Sequence, residues 1–325
     1  MPTEHPSVAQ ARIVKDHIAG LIARSDDMDD LAVAMRYVMD NYCLTGAERD
    51  FGCSTTLVDL GTCSGEWFVP PQAKSGHHIV YIHGGGWFAG SIDTHRHLID
   101  LIARKTGCAV FAVNYRLAPE HPFPAGLQDA GRAYAHACSN GPAGPLEAAT
   151  VALMGDSAGG NLSAALVIDL LSRNARLPDA LALLSGVVDF RPPDRMPPGS
   201  DDPTCEPTTQ TRIAELYLQG VTTVDDPLVS PAAAPLDVLE RFPPTIIQAS
   251  SDEYLRDQDV AFAAALWRLA VTVHLSIWPH LPHAFHLFPQ ELSAAGRAVD
   301  EIAAFLGDVE AAPVDKLASV GAQND

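Results

Sequence analysis

The sequence carries few positive charges for its length. Its 325 residues include 21 Lys plus Arg against 40 Asp plus Glu, a formal net charge of −19. A surface this acidic repels nucleic-acid phosphates and anionic membranes. We therefore expect no nucleic acid among the partners of this chain, and we attribute the acidity to solubility.

Long apolar runs are also missing. No run approaches the roughly 18 residues that a membrane span requires. The N-terminus, which starts Met1-Pro2-Thr3-Glu4, has neither the basic segment nor the apolar segment of a secretory signal. The sequence thus predicts no membrane span, and we expect a cytoplasmic protein.

Cysteine pairs with metal-site or redox spacing are a third absence. None of the six cysteines forms a Cys-x-x-Cys pair. Several of them lie in apolar segments, where a thiol behaves as a small hydrophobic group. A disulfide framework is not expected in a chain of this length, and nothing in the sequence calls for a metal or a cofactor.

What is present is an alternation of apolar strands and helical stretches. Two amphipathic helices are predicted between Pro6 and Tyr42, with a break around Asp26 to Asp30. A strand pair is predicted next, followed by buried strands separated by helices. The predicted strands are Thr55 to Asp59, Gly65 to Val69, His78 to Ile82, Ala109 to Asn114, Val151 to Met154, Leu181 to Leu184, Thr245 to Ala249 and Val271 to Ile277. This order predicts an α/β fold with a mostly parallel central sheet flanked by helices.

The alternation is interrupted once. Residues 189–227 are rich in Pro, Asp and Thr and contain one helical patch, Arg212 to Gln219. We interpret this stretch as an insertion into a core formed by residues 46–188 and 228–308. Residues 1–45 supply the N-terminal helices, and the small, polar residues 309–325 are expected to form a flexible tail.

Two glycine-rich runs carry the strongest chemical signal. Ser157 lies in GDSAGGN, from Gly155 to Asn161, between an apolar strand and a helical run. This is the setting of a Gly-x-Ser-x-Gly nucleophile elbow. The run HGGGWFAG, starting at His83, allows the close backbone approach that an oxyanion hole requires. Trypsin-like proteases have a GDSGG run, but the additional Ala158 and the strand–helix alternation argue against that class.

Four runs in consistent order support a family resemblance. They are HGGGW at His83, YRLAPEHPFPA at Tyr115, GDSAGGN at Gly155 and HAFHLF at His283. Over residues 78–306 the chain resembles the hormone-sensitive-lipase-like esterases, the bacterial family IV carboxylesterases with the α/β-hydrolase fold and a GDSAG-type nucleophile motif.

The resemblance assigns roles to these runs. It implies that Ser157 is the nucleophile and that the N–H groups of Gly85, Gly86 and Ala158 form the oxyanion hole. It also implies that the N-terminal helices and the insertion 189–227 together form a helical cap over the site.

The acid of the expected triad lies in SSDEYLRDQ, after the strand Thr245 to Ala249. The family motif resembles DPLRD, and the run here is one residue longer. Asp252, nearest the predicted strand end, is our predicted acid, while Glu253 and Asp257 stay open as competitors.

The base is predicted to be His283, which occupies the family's HGF-like position with Ala284 in place of glycine. His280, His283 and His286 also form an HxxHxxH pattern. A metal site is not expected, because Pro282 breaks any helix that would place the three on one face.

Polar residues beside these runs are interpreted as structural. Arg116 and Glu120 are expected to pair with each other and brace their loop. Asp156 is expected to support the elbow, and His83 is expected to orient the glycine run by a hydrogen bond.

Aromatic side chains flank the motifs, so an apolar substrate pocket is expected. Its predicted lining consists of Trp87, Phe88, Tyr217, Tyr254 and Phe285. Tyr217 would close this pocket from the cap.

The sequence thus predicts a serine carboxylesterase that hydrolyses short- to medium-chain acyl esters through an acyl-enzyme and a Ser-His-Asp triad. The partner is a small-molecule ester, and a homodimer stays open. A lactone hydrolase with the same triad is the alternative. A ligand-binding protein on the same fold, similar to the plant gibberellin receptor, is less favoured because that receptor lacks the histidine that His283 supplies here.

Overall fold

A computed structural model describes residues 6–43, 51–191, 197–204 and 207–311. Helices cover both faces of an eight-stranded sheet, and a second sheet is a short two-stranded ribbon. The strands are β1 Ser54–Asp59, β2 Ser64–Val69, β3 His77–Ile82, β4 Ala109–Asn114, β5 Asn140–Gly141, β6 Gly144–Pro145, β7 Thr150–Asp156, β8 Ala180–Leu184, β9 Thr245–Ser250 and β10 Val273–Trp278. The helices are α1 Pro6–Ser25, α2 Leu31–Asp40, α3 Ile92–Thr106, α4 Ala125–Ser139, α5 Ala158–Ser172, α6 Pro207–Leu218, α7 Leu236–Leu239, α8 Arg256–Arg268 and α9 Ser293–Ala311.

The strand order of the large sheet is β1-β2-β4-β3-β7-β8-β9-β10. Strand β2 pairs antiparallel with both β1 and β4, and all other neighbours are parallel. The prediction of an α/β fold with a mostly parallel sheet is confirmed. Every residue of β8 and β9 is buried, as expected for central strands covered by helices on both faces.

The break between the first two helices has a local cause. Asp30 is the N-cap of α2, and its side chain accepts hydrogen bonds from the N–H groups of Ala32 and Val33. An N-cap aspartate satisfies backbone donors that have no partner within the helix. The predicted break around Asp26 to Asp30 therefore coincides with the start of α2.

The insertion and the tail are described only in part. Within residues 189–227 the structure describes 189–191, 197–204 and 207–227, and the predicted patch Arg212 to Gln219 falls largely within α6. Residues 309–311, predicted to begin a flexible tail, are the last turn of α9, while residues 312–325 and 44–45 lie outside the described residues. In the described residues, no helix is long and apolar enough to cross a membrane.

The parallel strands deliver three loops to one edge of the sheet. The glycine loop (residues 83–90) follows β3, the Glu253 loop (residues 251–255) follows β9, and the His283 loop (residues 279–284) follows β10. Ser157 comes directly after β7. Since ligands of open α/β sheets bind at the carboxyl ends of the strands, this edge is the candidate site.

Helix α5 packs so closely on β3 that Gly159 has no room for a side chain. A Cβ there would lie 2.0 Å from the carbonyl oxygen of Ile82 and 2.6 Å from that of His83. Both neighbours are backbone atoms, so relief requires the helix to move away from the strand.

We predict that Gly159→Ala lowers the free energy of unfolding by at least about 1–3 kcal/mol, the usual cost of overpacking. Gly296→Ala is the matched control, because Gly296 lies in α9 and a Cβ added there would meet nothing within 4 Å. Alanine there is expected to stabilise by about 0.4–1 kcal/mol. Urea unfolding checks both variants, and wild-type stability of Gly159→Ala would contradict the close packing.

Candidate active site

Ser157 stands on a sharp turn between β7 and α5. Its backbone has φ 50° and ψ −119°, a conformation that residues other than glycine rarely adopt and that costs about 1–3 kcal/mol. The N–H of Ser157 donates to the carbonyl oxygen of Leu184 at 2.9 Å, which holds the turn against β8. A Cβ on Gly155 would lie 2.4 Å from the backbone of Gly159, so the turn closes only with glycine at that position.

An unbroken chain of hydrogen bonds starts at the Ser157 hydroxyl. Nε2 of His283 lies 2.9 Å from Ser157 Oγ, and Nδ1 of His283 lies 2.9 Å from Glu253 Oε2. The other carboxylate oxygen of Glu253 accepts hydrogen bonds from Ser185 Oγ at 2.6 Å and from the N–H of Ser250 at 2.7 Å. Glu253 is fully buried, and these contacts use both of its oxygens.

Asp252, our predicted acid, does not contact His283, and the structure corrects that choice of partner. Its Oδ2 accepts a hydrogen bond from Lys15 Nζ at 2.6 Å, and its Oδ1 accepts one from Ser251 Oγ at 2.7 Å. The reason lies in the turn after β9. This strand continues to Ser250, beyond its predicted end, and the bond from the Ser250 N–H turns Glu253 back over the strand toward His283.

The third candidate, Asp257, is a surface residue. Its carboxylate pairs with Arg256 at 2.8 Å, and its side chain is 59% exposed. Of the three carboxylates that the sequence left open, only Glu253 approaches His283 in the described residues.

The surroundings of His283 favour its charged form. Burial lowers the pKa of His283, but the hydrogen bond to Glu253 and the negative charges of Glu253, Asp202 and Asp156 outweigh it, so the pKa is raised above 6.5. No sequence motif marks Asp202, which lies in the described part of the insertion. Its Oδ1 accepts hydrogen bonds from the N–H and the hydroxyl of Thr204 at 2.9 and 2.6 Å.

The three histidines of the HxxHxxH pattern point to different partners. His286 Nε2 lies 3.0 Å from Gln248 Oε1, and burial lowers the pKa of His286 to about 3. The side chain of His280 is 68% exposed and lies 3.3 Å from Asp252. Within the described ranges, no group of three or more His, Cys, Asp or Glu side chains is arranged to hold a metal ion.

The glycine loop and the elbow together offer three backbone donors. Gly85 and Gly86 have φ of 113° and 61°, conformations that favour glycine. The Gly85 carbonyl oxygen accepts hydrogen bonds from the N–H groups of Phe88 and Ala89, which coils the loop. No residue in the described part of the chain accepts a hydrogen bond from the N–H groups of Gly85, Gly86 or Ala158.

A buried carboxylate joins this loop to the elbow. Asp156 Oδ1 accepts hydrogen bonds from the Tyr81 hydroxyl at 2.7 Å and the Gly84 N–H at 3.0 Å, and its Oδ2 lies 3.3 Å from His95 Nε2. Burial raises the pKa of Asp156, but the charge of His95 and the hydrogen bonds from His95 and Tyr81 lower it to about 2. His83 contacts the Gly84 carbonyl oxygen at 2.7 Å. The structural interpretations of Asp156 and His83 agree with these contacts.

The predicted pocket residues separate into two groups. Trp87 stacks on Tyr217, with ring centroids 5.0 Å apart, and packs on Phe190 at 4.6 Å. Phe88 and Phe285 are fully buried in hydrophobic cores, and the Tyr254 hydroxyl donates to the side chain of Gln210 in α6. Of the five predicted residues, Trp87 of the glycine loop and Tyr217 of α6 thus form one aromatic cluster, together with Phe190.

Comparison with known proteins shows the family of the chain. A family model described as the alpha/beta hydrolase fold matches residues 79–287, and the chain belongs to this family. The chain is 34% identical over 266 residues to an acetyl-hydrolase of Streptomyces hygroscopicus, covering 77% of this chain and 81% of the relative. It is 31% identical over 240 residues to an ethyl acetate hydrolase of Pseudomonas putida, covering 71% and 74%.

The solved structures show which group of α/β hydrolases the chain is similar to. An esterase from the bacterial hormone-sensitive lipase family superimposes with a TM-score of 0.79 at 30% identity, covering 91% of this chain and 98% of that one. The family model, the relatives and this structure together show that the chain is a carboxylic ester hydrolase of the hormone-sensitive-lipase type.

The contacts of Glu253 and Asp252 predict unequal effects of their amides. Glu253→Gln removes the charge that faces His283 Nδ1 and is expected to lower kcat by about 10⁴-fold, as the equivalent change does in a serine protease triad. Asp252→Asn is expected to lower kcat by about tenfold at most, because Asp252 acts only on the position of its loop. Steady-state kinetics on a p-nitrophenyl ester measures both, and the reverse ranking would contradict the geometry.

The pH profile gives an independent readout of the same contact. Neutral His283 is the active form, so kcat/KM falls as pH decreases through the pKa of His283. Glu253 raises that pKa, so the acid limb of the residual activity of Glu253→Gln is expected to move to lower pH. An unmoved acid limb would contradict the pairing.

Proposed function

We propose that this chain is a serine carboxylesterase that hydrolyses short- to medium-chain acyl esters through an acyl-enzyme intermediate. The observation that carries the proposal is the chain of contacts from Ser157 through His283 to Glu253. The triad proposed is therefore Ser-His-Glu, with Glu253 in the role that the sequence analysis gave to Asp252.

The first half-reaction follows from the contact between Ser157 and His283. As Ser157 Oγ attacks the ester carbonyl carbon, its proton passes to His283 Nε2. Collapse of the tetrahedral intermediate breaks the bond to the alcohol oxygen, and His283 returns the proton to that oxygen. The products of this step are the free alcohol and an acyl group on Ser157.

The second half-reaction uses the same base. His283 takes a proton from water as the water oxygen attacks the acyl carbonyl carbon. The proton then returns to Ser157 Oγ, the acyl–serine bond breaks, and the carboxylic acid leaves. Both steps balance with water as the only co-reactant.

Glu253 acts on His283 and not on the substrate. A carboxylate at 2.9 Å from Nδ1 holds the proton on that nitrogen, so that Nε2 is free to accept the serine proton. It also stabilises the imidazolium formed during each half-reaction. The bonds from Ser185 and the Ser250 N–H hold this carboxylate in one orientation.

The N–H groups of Gly85, Gly86 and Ala158 are proposed as the oxyanion hole. Ala158 follows Ser157, whose N–H donates to Leu184 in the elbow, and Gly85 follows Gly84, whose N–H donates to Asp156. Donors fixed in advance need no reorganisation when the oxyanion forms, and one such donor is worth about 2.7–4 kcal/mol.

The proposed preference for short and medium acyl chains is supported by the aromatic cluster of Trp87, Tyr217 and Phe190. Trp87 of the glycine loop packs on Tyr217 and Phe190, and all three side chains are buried. Their bulk leaves less room for a long chain than small side chains would. The acetyl-hydrolase and ethyl acetate hydrolase among the relatives are named for short acyl groups.

The preference for short and medium acyl chains is tested with a p-nitrophenyl ester series from acetate to palmitate. In this series kcat/KM is expected to be highest for short and medium chains. A maximum at palmitate would contradict the size preference.

The role of Ser157 as nucleophile is tested with Ser157→Ala. This variant is expected to lower kcat by about 10⁶-fold while the protein stays folded. Near-wild-type activity of the folded variant would contradict the mechanism.

A further inference from the structure

The N-terminal segment (residues 6–43) contacts all three loops that converge at the candidate site. We propose that it positions these loops for the reaction, with Lys15, Arg36 and Tyr42 as positioning residues at the Glu253 loop, the glycine loop and the His283 loop. The inference rests on the proposed function, because it concerns the same Ser157 chemistry. It extends the expected role of these helices from covering the substrate to aligning the groups that react.

Lys15 of α1 anchors the Glu253 loop. Its Nζ lies 2.6 Å from Asp252 Oδ2, and the two side chains are only 15% and 7% exposed. Asp252 precedes Glu253 directly, so the ion pair holds the backbone next to the carboxylate that faces His283. Pairing in a poorly solvated position makes the contact costly to break, because Asp252 would be left buried without its cation.

Asp252 also connects the insertion to the same loop. Its carbonyl oxygen accepts hydrogen bonds from Ser200 Oγ at 2.8 Å and from the N–H of Asp201 at 3.1 Å. Lys15 lies 3.4 Å from the Asp201 carboxylate as well. The residue that sequence analysis proposed as the acid is thus the point where α1 and the insertion meet the Glu253 loop.

Arg36 of α2 anchors the glycine loop. Its Nε donates to the carbonyl oxygen of Phe88 at 3.0 Å, and its Nη2 donates to that of Ala118 at 3.2 Å. Glu120 orients the guanidinium through contacts of 2.9 and 2.6 Å. The adjacent Met35 packs so closely on the glycine loop that a Cβ on Gly86 would lie 2.2 Å from its methyl carbon.

The same contacts correct the expected pairing of Arg116 with Glu120. Arg116 instead pairs with the fully buried Asp129 at 2.7 Å. Glu120 therefore pairs with Arg36. The run YRLAPEHPFPA is thus bonded to α2 and has no ion pair between Arg116 and Glu120.

Tyr42 anchors the His283 loop. Its hydroxyl donates to the carbonyl oxygen of His283 at 3.2 Å. The side chain is only 4% exposed, and its ring packs on Phe288 at a centroid distance of 5.3 Å. The bond thus holds the backbone of the residue that faces both Ser157 and Glu253.

These contacts matter because the three loops leave different strands. Each anchor bonds to a loop backbone or to a residue beside a reacting group, and none touches the reacting atoms. A displacement of about 1 Å between reacting groups can cost about 10²-fold in rate. A positioning role therefore lowers kcat, whereas a segment that only covers the substrate raises KM.

The test uses Lys15→Met, Arg36→Met and Tyr42→Phe in the full chain with p-nitrophenyl acetate, whose small acyl group depends little on a cover. Each variant is expected to lower kcat about tenfold with little change in KM. Lys105→Met is the matched control, because Lys105 forms an ion pair of the same length, 2.6 Å, with Asp300 between α3 and α9. It is expected to leave both constants near wild type.

A double-variant cycle separates this role from a general loss of stability. Lys15→Met, Asp252→Asn and their combination are expected to lower kcat by similar amounts, because the pair acts as a unit. Thermal unfolding of every variant identifies any that fail to fold, and Tyr42→Phe, which removes one oxygen atom, is the mildest of them.

Raised KM with unchanged kcat would overturn the proposal, as would additive losses of kcat in the cycle or wild-type constants in folded variants. Labelling of Ser157 by a fluorophosphonate keeps the two proposals apart. An unlabelled wild-type enzyme contradicts the esterase mechanism itself, whereas normal labelling with unaffected variants contradicts only the positioning role.

Discussion

The buried carboxylate of Glu253 is the constraint on which the rest of the site depends. An ionised group without access to water is costly unless hydrogen bonds replace its hydration. Glu253 is fully buried, and Ser185, the Ser250 N–H and His283 provide those bonds. The same three partners also fix the orientation of the carboxylate. The hydrogen bonds that replace its hydration therefore also align His283.

The parallel sheet brings Ser157, Glu253 and His283 close together. Parallel strands β3, β7, β9 and β10 end at one edge, so residues far apart in the chain approach without long loops. Close packing at Gly155 and Gly159 brings the elbow against β3. Asp156 then bonds to the Gly84 N–H, which connects the turn that carries Ser157 to the loop that carries the proposed oxyanion donors.

Much of this arrangement follows from sequence patterns whose physical basis is local. Apolar runs and glycine spacing predicted the strands and the turn at Ser157, and His283 lies within hydrogen-bond distance of Ser157 as the motif order implied. The choice between Asp252 and Glu253 depended on how one turn folds after β9. Strand β9 ends one residue later than predicted, at Ser250, and Glu253 rather than Asp252 then faces His283. The sequence pattern alone does not define the end of a strand to within one residue.

Ion pairs between residues far apart in the chain could not be predicted from the sequence either. Arg36 and Glu120 are 84 residues apart, and Lys15 and Asp252 are 237 apart, so no spacing pattern relates them. Arg116 and Glu120 are near neighbours with opposite charges, yet tertiary packing gives each a different partner. Local patterns thus predict elements and motifs, whereas the contacts that align them depend on the folded chain.

His283 is paired with Glu253 through Nδ1, and proton NMR of the Nδ1–H of His283 in water measures this contact without substrate or turnover. A proton shared with a buried carboxylate is expected to give one strongly deshielded resonance. This resonance is expected in the wild-type protein and in Asp252→Asn, and it is expected to be lost in Glu253→Gln. A resonance that persists in Glu253→Gln, or that disappears in Asp252→Asn, would contradict the pairing.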